Sequence, residues 1–139
     1  MIQIYTTPSC ASCRKAKKWF DQYKIPYSEK NIFSIKLSKE DIFRMLANSE
    51  NGFDDIISTR SKVFKEKKLD PDNMSVQELI EFIIVYPSVL KRPIIINENE
   101  LQVGYNNEDI TIFLPKELRN LDSFSDFDAE PINVKYSKK

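Results

Sequence analysis

A chain of 139 residues fits one domain and leaves no room for two of full size. Its 41% apolar and 30% charged residues supply a core, but no apolar run nears the roughly 20 residues that span a bilayer, so no membrane partner is expected. The 21 basic and 21 acidic residues cancel, so the basic excess with which a protein grips nucleic acid unaided is absent. Histidine is missing and there are two cysteines, which excludes Ser–His–Asp and Cys–His catalysis. A zinc site within one chain is also short of ligands, and no metal or cofactor is expected. Met1 to Tyr5 shows no export signal. A cytoplasmic location is therefore expected, where thiols are kept reduced.

In chain order, Ile2–Tyr5 alternates as a short strand, and Thr6-Thr7-Pro8-Ser9 interrupts it. A helix from about Ala11 to Tyr23 places Ala16, Trp19, Phe20 and Tyr23 on one face. After Pro26, Tyr27–Ile32 reads as a second strand. Ser38-Lys39-Glu40-Asp41 resembles a capping box and opens a helix carrying Ile42, Phe43, Met45 and Leu46, which Asn51-Gly52 closes. Gly52 is expected to end that helix with a positive φ. Shorter helical pieces follow near Asp54–Ile57 and Ser61–Lys67. Ser75-Val76-Gln77-Glu78 is a full capping box for a helix with Leu79, Ile80, Ile83 and Ile84. Ile94-Ile95-Ile96 suits a strand buried on both faces, Asn97–Glu100 a polar turn, and Leu101–Val103 a returning strand. A last helix carries Ile110, Ile112, Phe113 and Leu114 and ends at Pro115. The stretch beyond about Leu121 is acidic, then basic, and reads as a flexible tail over 122–139, with Phe124, Phe127 and Tyr136 as docking points.

A β-α-β half followed by a β-β-α half, with two cysteines after the first strand, is the thioredoxin layout. The expectation is an α/β fold with a mixed sheet, one domain over 1–121, and an inserted helical block at about 38–90. Cys10-Ala11-Ser12-Cys13 has the spacing of an intramolecular disulfide and stands at a helix N-terminus. Free N–H groups and partial positive charge there stabilise a thiolate. Arg14 and Lys17 follow one turn on. Cys10, nearer the helix start, is the candidate attacking thiol and Cys13 the resolving one. In folds of this layout a proline before the third strand is cis and lies against the dithiol, so Arg92, before Pro93, is expected near Cys10. Arg60 and Lys62, in Ser58-Thr59-Arg60-Ser61-Lys62, read either as a solvated basic face or as a phosphate contact.

Pro8-Ser9-Cys10, Ser12 to Ala16, Ile56 to Phe64, Arg92 to Ile96 and Leu101 to Asn106 together resemble the Spx family over about residues 1–121. The resemblance implies the arsenate-reductase-like (ArsC/Spx-type) branch of the thioredoxin fold. It further implies a global transcriptional regulator of thiol stress rather than an enzyme. Such a regulator binds RNA polymerase through the C-terminal domain of its α subunit, and meets promoter DNA only within the polymerase complex. The resemblance implies that Cys10 and Cys13 oxidise to a disulfide, with Arg92, Pro93 and Arg14 as neighbours of the redox centre. Gly52 would belong to the surface that meets the polymerase α chain, and Arg60 and Lys62 to the promoter contact. An ATP-dependent protease and its adaptor are the remaining implied partners, although the chain ends in Ser137-Lys138-Lys139 rather than a short apolar degron. The alternative is an arsenate reductase or a small thiol–disulfide oxidoreductase. Arsenate reductases of this branch also resemble the chain at Cys10, Arg92 and near Arg60. They differ in having a serine-type residue at Cys13 and a further arginine in the Gly104-Tyr105 region. Dedicated thioredoxins carry a proline and flanking tryptophan that Ala11-Ser12 lacks.

Overall fold

The computed structural model describes residues 1–115. The expected tail over 122–139, its three aromatic docking points and the domain end at 121 lie outside the described residues.

Four strands form one mixed sheet in the order β2-β1-β3-β4. β1 (Ile2–Thr6) runs parallel to β2 (Tyr27–Asn31) and antiparallel to β3 (Ile94–Ile96), which pairs antiparallel with β4 (Leu101–Val103). The helix α1 (Ala11–Gln22) crosses from β1 to β2, as a parallel pair requires. Between β2 and β3 stand α2 (Lys39–Ala47), α3 (Phe53–Ile56), α4 (Lys62–Glu66) and α5 (Val76–Val85), with 3-10 turns at Pro71–Asn73 and Pro87–Val89.

Successive strand side chains point to opposite faces, and the two central strands divide accordingly. On β1, Ile4 packs beneath α1 with Ala16, Trp19, Phe20, Ile110 and Phe113. Tyr5 packs on the other face with Ile42, Met45, Leu79, Ile80 and Ile83. On β3, Ile95 joins the first cluster while Ile94 and Ile96 join the second. The unbroken Ile94-Ile95-Ile96 run is thus a strand covered on both sides, and burying each such side chain contributes about 1.5–3 kcal/mol.

Both expected capping boxes form. Ser38 Oγ accepts from the Asp41 N–H and Asp41 Oδ2 accepts from the Ser38 N–H (3.1 and 2.8 Å). Ser75 and Glu78 do the same for α5 (3.1 and 2.9 Å). Asp41 also accepts from the hydroxyl of fully buried Tyr5 at 2.9 Å, which ties α2 to the central strand.

Two local expectations need correction. Gly52 does not end α2, which stops at Ala47 with Asn48 as its C-cap. The Asn48 amide donates to the Arg44 carbonyl (3.0 Å) and the Ser49 hydroxyl to that of Leu46 (2.7 Å), so polar side chains take the last helical acceptors. Gly52 instead opens α3, with φ +66°. The last helix is a 3-10 turn over Asp109–Phe113. The Thr111 hydroxyl bonds the Glu108 carbonyl at 2.7 Å, and Pro115 forces Leu114 into an extended conformation. On α2, Ile42 and Met45 are buried while Phe43 faces solvent.

Burial raises the pKa of Asp41, but hydrogen bonds from Ser38 and Tyr5 and the charge of Lys30 outweigh it and hold the carboxyl below its ordinary value. That stabilisation is present above the unfolded pKa of about 3.9 and is lost as pH falls through the folded value. Asp41→Asn is expected to cost about 1.5–3 kcal/mol at pH 7 in urea unfolding, and the deficit should shrink below about pH 4.

Candidate functional site

β1 delivers the chain to a sharp turn at the mouth of α1. Thr6 and Thr7 are buried, Ser9 sits in the left-handed region at φ +62°, and Cys10 is the N-cap of the helix. The first N–H groups of a helix lack intrahelical partners. Here Cys10 Sγ accepts from the Cys13 N–H at 3.1 Å, while the Cys10 carbonyl accepts from the Arg14 N–H at 3.1 Å. Cys10 and Cys13 form a disulfide with Cα atoms 5.2 Å apart. Cys10 is half-buried, whereas Cys13 is only 2% exposed. A reagent in solution therefore meets Cys10 first.

A cleft of about 750 Å³ opens on Cys10. Thr7, Pro8 and Ser9 form one wall, the Ser58–Ser61 loop a second, and Ser88, Leu90, Lys91 and Arg92 with Val103 and Gly104 the rest. Two backbone hydrogen bonds hold these distant segments together, Ser58 N–H to the Val89 carbonyl and Lys91 N–H to that of Ile56, both 2.8 Å. They flank an isolated antiparallel bridge between Ile57 and Leu90. That bridge sets Arg60 and Arg92 in the same cleft as Cys10.

The Arg92–Pro93 peptide is cis and Pro93 is buried. The Arg92 guanidinium donates through Nη1 to the carbonyls of Ser88 and Leu90, each at 3.0 Å. Burial pushes its pKa below the ordinary value, yet an arginine stays charged at neutral pH. Lys62 is not among the residues lining this cleft. It lies on α4 with its side chain 86% exposed, in a long ion pair with Glu66 (3.8 Å). Gly52 is absent from the cleft as well, and its N–H donates to Ser49 Oγ at 3.0 Å. Arg14 is exposed and lines a second cleft with Cys13, Lys17 and Glu29, which shares Thr7 to Cys10 with the first.

Several members of the site carried no local sequence signal. Thr6 and Glu29 read as ordinary strand residues, and the left-handed Ser9 as part of a polar turn. The parallel register, Ile4 beside Glu29, is what turns Glu29 toward α1. Among the described residues, no group of three or more His, Cys, Asp or Glu gathers in a metal-binding arrangement. No helix among them is long and apolar enough to cross a membrane.

The ArsC family model matches residues 5–113. Over 119 residues the chain is 50% identical to the global transcriptional regulator Spx of Listeria innocua, covering 86% of this chain and 91% of that protein. It is 48% identical over 120 residues to the Spx of Bacillus subtilis, covering 86% and 92%. The chain belongs to the Spx group of the ArsC family. Its thioredoxin-like fold also superposes on an arsenate reductase from Vibrio cholerae with a TM-score of 0.70, covering 81% of this chain and 97% of that one. At 20% identity that likeness is one of fold alone.

For this Spx-group chain, the unequal exposure of the two sulfurs predicts unequal reactivity. After reduction, iodoacetamide should alkylate Cys10 about tenfold faster than Cys13, as exposure and the helix N-terminus dictate. Peptide mass mapping over a time course checks this, and equal rates would contradict it.

Proposed function

We propose that this chain is a redox-switched regulator of transcription that works through RNA polymerase. The observation that carries the reading is a half-exposed Cys10 paired with a buried Cys13 at a helix start, in a chain half identical to proteins named global transcriptional regulators. Its signal is a two-electron change. Oxidation by an external disulfide or diamide joins the two sulfurs and removes two protons and two electrons, which the oxidant takes up. Reduction returns an ionisable thiol at Cys10, at the start of α1 and in the cleft that holds Arg60 and Arg92.

In this reading the cationic cleft feels the ionisable thiol appear and vanish, and the Ser58–Ser61 loop that lines it transmits the change. Arg60 and Lys62 belong to the promoter-facing side, within the polymerase complex. The surface that meets the C-terminal domain of the polymerase α chain includes Gly52. Asp54 and Asp55 lie on the helix that Gly52 opens, and Asp55 Oδ2 accepts from the N–H groups of Glu50 and Asn51, each at 2.9 Å, so that turn is well formed. Lys91 links the two regions, since it lines both the dithiol cleft and the groove beside Asp55 and donates to the Asp54 carbonyl at 3.3 Å. The cell compartment consistent with this role is the cytoplasm. Turnover by an ATP-dependent protease with an adaptor belongs to the same proposal.

A second reading, reduction of arsenate, is favoured by the convergence of Cys10, Arg60 and Arg92 on one cleft. Gly104 forms part of the remaining wall and brings no cation, where the resemblance to arsenate reductases implies a further arginine. The third guanidinium fork that would complete an oxyanion site is therefore missing from that wall.

The deciding experiment combines the protein with the α C-terminal domain and polymerase on a thiol-stress promoter, before and after diamide. Binding and an oxidation-dependent change in transcript are expected. Cys10→Ala should abolish the change while the circular dichroism spectrum stays native. Undetectable binding with no oxidation effect, together with glutathione-dependent arsenate turnover lost in Cys10→Ser, would overturn the regulator in favour of the reductase. Gly52→Lys should weaken α binding at least about tenfold, or 1.4 kcal/mol. A Cβ at Gly52 meets nothing within 4 Å, but φ +66° with ψ −132° is a backbone region that side-chain-bearing residues rarely adopt. The substitution therefore also strains the turn by about 1–3 kcal/mol, and a native circular dichroism spectrum is required before the binding loss is read.

A further inference from the structure

The two clefts beside the dithiol differ in charge. The larger is lined by Arg60, Lys91 and Arg92 and by no carboxylate. The smaller, of about 290 Å³, reaches both Cys10 and Cys13 and is lined by Arg14, Lys17 and Glu29. Glu29 is therefore the one carboxylate among the residues lining either cleft. β2 carries it on the face turned to α1, because its register partner Ile4 packs under that helix. Glu29 Oε2 accepts from Lys17 Nζ at 3.0 Å and from the hydroxyl of buried Thr6 at 2.8 Å. Lys17 stands one helical turn after Cys13, a position from which an ammonium stabilises a thiolate. The carboxylate holds that ammonium and adds an opposing charge to the same cleft.

We propose that Glu29 is a positioning residue that sets the redox poise of the Cys10–Cys13 pair by holding Lys17 and fixing a negative charge beside the sulfurs. This role presupposes the redox-active dithiol proposed above. Burial raises the Glu29 pKa, but hydrogen bonds from Lys17 and Thr6 outweigh it and hold the carboxyl below its ordinary value. It is thus ionised at neutral pH. Against glutathione disulfide, the two protein thiols give up two protons and two electrons. The Cys10–Cys13 bond forms, the glutathione S–S bond breaks, and two glutathione thiols carry the protons and electrons away. A stabilised thiolate draws this equilibrium toward the dithiol, and a charge opposing the thiolate draws it toward the disulfide. The Glu29 side chain is 39% and that of Lys17 29% exposed, so water screens the pair and the effect is a few-fold.

The test equilibrates the full chain, Glu29→Gln, Lys17→Gln and the double variant with glutathione and glutathione disulfide. It also titrates the reduced proteins by thiolate absorbance. Glu29→Gln is expected to lower the Cys10 thiol pKa by about half a unit and to make the disulfide about threefold less favoured. Lys17→Gln, which leaves the carboxylate uncompensated, should move both quantities the other way, and the double variant should return near the parent. Loss of a merely structural tie would move both single variants in the same direction. Such a common shift, or no shift beyond about 1.5-fold in either, overturns the role of Glu29 while leaving the redox reading intact. A parent protein that does not exchange with glutathione at all overturns both.

Discussion

The Cys13 N–H at the first turn of α1 finds its acceptor in Cys10 Sγ, at 3.1 Å. Most helices satisfy this group with a serine, threonine or aspartate oxygen, as α2 and α5 do with Ser38 and Ser75. Using a sulfur instead joins helix capping to redox chemistry. Any change in the charge of Cys10 is felt by the backbone of α1, and the field of the helix is felt by Cys10. Ala16, Trp19 and Phe20 of that helix are buried with Ile4 of β1 and Ile95 of β3, so the helix is anchored to the centre of the sheet.

Around this cap the sheet assembles two unlike surroundings. One side of the dithiol faces three cations brought from the Ser58–Ser61 loop and the entry to β3. The other faces an ion pair between α1 and β2. The disulfide is neutral and the dithiol ionisable, so the two redox states differ in charge at the junction of these fields. The cationic side is held by backbone hydrogen bonds between segments more than thirty residues apart, which is a rigid way to present Arg60 and Arg92. Such a geometry suits a signal read by neighbouring surfaces.

The local elements were legible because their signals are local. Ile2–Tyr5, the 3.6-residue spacing of Ala16, Trp19 and Phe20, and the two capping boxes each need only a few consecutive residues. The mixed sheet followed from those elements and from the unbroken Ile94-Ile95-Ile96 run. The end of α2 is hidden because Asn48 and Ser49 compete for its terminal carbonyls, a contest that a glycine four residues later does not reveal. The site was legible at its cysteines and dim elsewhere. That Arg60 shares a cleft with Cys10 depends on the Ile57–Leu90 bridge, and that Glu29 faces α1 depends on strand register. Both are products of tertiary pairing, with no mark in the neighbouring sequence.

The central claim is that the Cys10–Cys13 bond is a signal to the transcription machinery. Its most direct test is transcription from a thiol-stress promoter by polymerase with this protein, poised across a series of glutathione ratios, with the disulfide fraction quantified in the same samples. The account predicts that transcript yield follows the disulfide fraction, with coincident midpoints, and that both move together when the poise of the pair is altered. Transcript yield that stays constant while the pair passes from dithiol to disulfide would contradict it.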